Sequence, residues 1–133
     1  MPATLETRED GRVQFFSISD PFSLPELTSL YPADDAYRNS VNFTVHTLID
    51  LTALKHLPSG ILGTRTGAPI LSHPRSGQIV LTGAVPLAKA LGEMIARLTR
   101  INQTKVNFFR TVDEGWDFLR HYIEEDAKKL NVS

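Results

Sequence analysis

Asp50, His56 and Ser59 lie close together in the chain and supply the side-chain types of a nucleophilic triad. In such a triad a carboxylate orients an imidazole, which takes the serine proton. Types alone do not make a reaction centre, and the chain lacks the G-x-S-x-G elbow on which α/β hydrolases mount their serine. Ser59 also suggests a second chemistry by itself. It stands in Leu57-Pro58-Ser59-Gly60-Ile61, a turn leading into the next element. A phosphate there would add about −1.5 to −2 charge beside a helix N-terminus, where amides favour an anion. The plainer roles are a turn cap for Ser59, closure of a strand-end loop for Asp50 and a surface position for His56.

A third group is Arg65, His73 and Arg75, set among Thr64, Thr66, Ser72, Ser76 and the loop-forming Gly63, Gly67, Pro69, Pro74 and Gly77. Arginine forks match phosphate and carboxylate oxygens, so this loop is a candidate oxyanion binder, although solvated loop charges are the default. His46 sits inside an apolar strand with no second histidine or acid at ligand spacing. It reads as a hydrogen-bonded sheet residue, and no metal or cofactor is expected.

The elements that must position these residues belong to a chain of 133 residues with formal charge −1, 41% hydrophobic and 22% charged residues. That length supports one core. A near-neutral charge provides no global field for nucleic acid or anionic lipid; nucleic acid is not expected as a partner, and other partners must be read from local features. The absence of cysteine excludes disulfides, thiolate nucleophiles and cysteine-ligated zinc. Met1 to Gly11 is polar, without an apolar leader core, and no run reaches the ~18 apolar residues of a membrane span. The expectation is a soluble, cytoplasmic protein with a flexible N-terminus over 1–11, one domain over 12–126 and a frayed C-terminus over 127–133.

Arg12 to Ile18 reads as an early strand closed by Ser19-Asp20-Pro21. Ser23 can cap a short helix through Leu24, Leu27 and Leu30, which Tyr31-Pro32 stops, leaving Ala33 to Ser40 as loop or a frayed turn. Val41, Phe43 and Val45 alternate with polar residues before Leu48-Ile49, the pattern of a central strand ending near Asp50. Gln78 to Thr82 is another strand, ended by Gly83. Pro86 opens a helix with Leu87, Ala90, Leu91, Met94, Ile95 and Leu98 on one face. Lys105 to Arg110 is a short strand in which Phe108 and Phe109 both read as core. Thr111-Val112-Asp113-Glu114 is a capping box for a last helix carrying Trp116, Leu119, Tyr122 and Ile123 inward. The alternation predicts an α/β fold: a four- to five-stranded, mostly parallel or mixed sheet with crossover helices.

In order and spacing these elements resemble the STAS family, the anti-sigma-factor-antagonist-like domains, including the broader SpoIIAA-like group. The resemblance covers roughly residues 12–123. Leu48-Ile49-Asp50-Leu51 is similar to the family's hydrophobic-hydrophobic-Asp-Leu strand end. Leu57-Pro58-Ser59-Gly60-Ile61 is similar to its Asp-Ser-Ser-Gly-Leu turn, with Leu57 and Pro58 replacing the Asp and first Ser. Thr111-Val112-Asp113-Glu114-Gly115-Trp116 is similar to its Thr-x-x-Glu-Ala signature. The resemblance implies a SpoIIAA-like fold, a non-catalytic module binding a protein or small ligand, and Ser59 at the phosphoacceptor position.

The working surface is then expected at the strand-end rim, residues 50–66. The rival expectation is a carrier of an apolar or lipid-like ligand beneath a lid over residues 61–77. An exposed edge strand makes a homodimer plausible.

Overall fold

The computed structural model describes residues 3–20, 25–26, 29–55, 75–83, 89 and 106–132, with side chains as far as residue 125. The strands are β1 (Ala3–Arg8), β2 (Val13–Ser19), β3 (Val45–Ala53), β4 (Ser76–Thr82) and β5 (Val106–Phe109). They form one mixed sheet in the order β1-β2-β3-β4-β5, in which β1 is antiparallel to β2 and the other pairs are parallel. Helix α1 (Tyr31–Ser40) lies between β2 and β3, and α2 (Val112–Val132) follows β5. This is the α/β class that the alternation of strand and helix predicts.

The N-terminal segment differs from the flexible tail expected over 1–11. Residues 3–8 pair with β2 from Ala3 opposite Ile18 to Arg8 opposite Val13. Glu9, Asp10 and Gly11 reverse the chain, with φ of 54°, 55° and 87°. Aspartate tolerates the left-handed region better than most residues, and glycine enters it freely. At the other terminus α2 continues to Val132, through the stretch expected to fray.

A second difference lies at Tyr31-Pro32, which starts a helix where it was expected to stop one. Proline occupies the first helical turn of α1, where its missing N–H removes no bond and its fixed φ suits the helix. The segment 33–40, expected as loop or a frayed turn, is therefore part of a regular helix, and β3 begins only at Val45. Of the short helix expected before it, Pro25 and Glu26 are helical, whereas Ser23, Leu24 and Leu27 lie outside the described residues. So does nearly all of the helix expected after Pro86.

Strand alternation divides the sheet into two faces. On one, Val13, Leu48 and Val80 form a buried cluster with Trp116 and Leu119 of α2, flanked by Phe15, Phe109, Val112, Phe118 and Ile123. Phe15 stacks on Trp116 at 5.4 Å, and Arg8 and Arg120 lie over the indole. The Thr111 cap at the start of α2 forms as its sequence predicts, the Glu114 N–H donating to Thr111 Oγ1 at 3.2 Å, while the Glu114 carboxylate accepts the Thr111 hydroxyl at 3.0 Å in place of the backbone N–H of a reciprocal capping box. Gly115 lets this first turn lie directly on the sheet, since a Cβ there would come within 2.9 Å of Thr82 and 3.0 Å of Val80.

The other face carries Phe16, Ile79 and Leu81, all buried. Phe108 also belongs to it, opposite Leu81 in register, and is 44% exposed. The expectation that both phenylalanines of β5 are core therefore holds for Phe109, which packs on Phe118, and fails for Phe108. Their strand is the last of the described sheet, so the side chain facing away from α2 has less to pack against.

Candidate functional site

Parallel pairing aligns the carboxyl ends of β2 to β5, the edge at which open α/β sheets place their binding sites. Ser17, Asp50, Thr82 and Phe109 form one row across these strands. Asp50 is half-buried in β3, between two strands parallel to it. Its Oδ1 accepts the Thr82 hydroxyl at 3.1 Å, the Thr52 hydroxyl at 2.7 Å and the Thr52 backbone N–H at 3.0 Å. The carboxylate is thus oriented from its own strand and from its neighbour. Among the described residues, no hydrogen bond reaches Oδ2.

Thr82 connects this carboxylate to α2. Its hydroxyl donates to Asp50, while its methyl lies beneath Gly115 in the helix's first turn. The amide dipoles at the start of α2 favour negative charge nearby, and Asp113 and Glu114 already exploit this. Two backbone ties complete the rim. The Lys55 N–H donates to Asp20 Oδ2, linking the chain beyond β2 to that beyond β3. The Gly83 N–H donates to the Phe109 carbonyl at 3.1 Å, linking the exits of β4 and β5. The rim thus carries Asp50, Thr52 and Thr82 on sheet backbone, with Asp20 and Thr111 in the segments just beyond β2 and β5.

Of the residues singled out by sequence, Asp50 stands at this rim. His56, Ser59, Arg65 and His73 lie outside the described residues, so the geometry of a triad or phosphoacceptor turn falls outside them as well. Arg75 stands at the opposite end of the sheet. Its carbonyl accepts the Val45 N–H at 2.8 Å, and the next residue, Ser76, is in register with Val45. Val45 and Asp50 are separated by about 17 Å along a strand, so Arg75 does not join the Asp50 rim. Of the lid expected over 61–77, Ser76 and Gly77 belong to β4, and residues 61–74 lie outside the described residues.

His46 is buried, and its Nδ1 accepts the Gln78 N–H at 2.9 Å, so the neutral ring carries its proton on Nε2. Its ring meets Tyr122 edge-on at 6.2 Å. This is the hydrogen-bonded sheet histidine expected. No group of three or more histidines and acids placed to hold a metal occurs among the described residues.

The sequence reading missed the most deeply buried charges in the described structure. Asp34 and Arg38 of α1 are both fully buried and paired at 3.0 Å. Arg38 also donates to the Val45 carbonyl, Ser76 Oγ and Thr47 Oγ1 at 3.0, 3.1 and 2.8 Å. The i, i+4 spacing of an acid and an arginine just after a first-turn proline was the available signal. It marks a helix but does not show that the pair faces inward.

No protein-family model matches the chain, and no curated protein matches it in sequence. Among the described residues, no helix is long and apolar enough to cross a membrane.

Proposed function

We propose that this chain is a STAS or SpoIIAA-like regulatory module that binds a protein partner through its strand-end rim, residues 50–66, with Ser59 as the modulating phosphoacceptor. The supporting observation is the Asp50 carboxylate. It is half-buried, held by three donors on Oδ1 and without a hydrogen bond to Oδ2 from the described residues. A fixed acceptor at the carboxyl edge of a sheet suits recognition of a donor on a partner, because little ordering remains to be done on binding. The parallel strands and the Thr111–Glu114 cap accord with the same reading.

A dianionic group at Ser59 would add charge to a rim that already carries Asp20 and Asp50. Repulsion and desolvation would then weaken an interface built on the rim. The variants Ser59→Asp and Ser59→Ala, compared with the parent chain by affinity capture from native lysate, test this. The expected result is a loss of about tenfold or more in the bound partner for Ser59→Asp, equivalent to ~1.4 kcal/mol, with Ser59→Ala near the parent. Equal capture by all three chains would refute regulation at Ser59.

A further inference from the structure

We infer that α1 is a polar latch that lifts from the sheet while the sheet stays folded. Helices are ordinarily held by an apolar stripe. In α1 the buried side chains are Asp34 and Arg38; Ala33 and Ala36 are exposed, and Tyr31 and Tyr37 are half-buried. Helix α2 instead sends Trp116 and Leu119 into the core.

The hooks on α1 are hydrogen bonds. Arg38 reaches the Val45 carbonyl, Thr47 and Ser76, and Tyr37 Oη donates to the Gly11 carbonyl at 2.6 Å. Lifting the helix returns Asp34 and Arg38 to water together. Regained hydration then offsets much of the lost attraction, unlike deletion of one partner, which strands a buried charge. Asp34 Oδ1 strengthens the bias, since it is buried without a hydrogen-bond partner among the described residues and gains water on opening. Opening would uncover the Val45 carbonyl and the Thr47 and Ser76 hydroxyls at the amino ends of β3 and β4. These lie at the end of the sheet away from Asp50, so the latch is separate from the proposed rim.

Native-state amide hydrogen exchange of the full chain, followed with increasing denaturant, tests the latch. The amides of Asp34 to Ser40 are expected to be at least about 100-fold less protected than those of Val45 to Leu51, with weak denaturant dependence, as in sub-global opening. Equal protection and a shared denaturant dependence would overturn the proposal. Arg38→Ala provides a second test. The proposal expects α1 amides to lose protection while β3 and β4 amides keep theirs; a fall across the whole sheet, or failure to fold, would show that the pair belongs to the global fold and would also overturn it.

Discussion

Gly83→Val is expected to destabilise the protein by roughly 3–5 kcal/mol, from backbone strain and overpacking together. Gly83 has φ of 137°, a region that side chains rarely enter. A Cβ there would lie 2.8 Å from the Leu51 carbonyl carbon and 2.9 Å from its oxygen. These are backbone atoms of a central strand, so no rotamer change relieves the clash. Leu51 adjoins Asp50, and Gly83 adjoins Thr82, whose hydroxyl donates to that carboxylate. The substitution would therefore push apart the two strands that orient the rim. Urea unfolding monitored by circular dichroism measures the effect. A loss below about 1 kcal/mol would show that β3 and β4 do not approach this closely.

Trp116→Ala is the second large loss expected, about 3–5 kcal/mol. Trp116 is buried against Val13, Leu48 and Val80, and its ring stacks on Phe15 of the hairpin strand β2. Removing it leaves a cavity between α2 and the sheet and takes away the surface under Arg8 and Arg120. Phe108→Ala is the matched comparison, since its ring is 44% exposed and has far less contact to lose. It is expected to cost less than about 1.5 kcal/mol by the same unfolding measurement. Similar losses for both variants would contradict the assignment of the two faces of the sheet.

The elements legible from sequence were those whose apolar pattern follows directly from burial. Strands β2, β4 and β5 and the cap of α2 stand close to where the alternation and the Thr111–Glu114 spacing put them. Edge strand β1 was not legible. Its side chains are mostly exposed, with Ala3 the buried one, so its six residues resemble a polar tail. Helix α1 was obscured for a related reason, because it directs a charged pair inward and leaves its alanines in solvent. Proline at position 32 is compatible with a helix start as well as a stop, and the residues after it do not decide between them.

The same distinction applies to the candidate site. Asp50 could be picked out as an acid near the end of a central strand. Its partner Thr82 could not, since it lies 32 positions away and meets Asp50 only through the parallel register of β3 with β4. That register also carries Arg75 to the far end of the sheet, although proximity in sequence grouped it with Arg65 and His73. Which residues share an edge is a property of strand pairing and is not visible in local spacing.

The central claim, that the carboxyl edge around Asp50 is a recognition surface, is tested most directly by site-specific photocrosslinking in living cells. A photoreactive residue would replace exposed Lys55 at this edge or, as control, exposed Asn42 just before the start of β3. The proposal predicts a discrete adduct from position 55 that is absent from position 42 and is lost when Asp50→Ala is added. Equal labelling at both positions, an adduct at 42 alone, or none at 55 would contradict it.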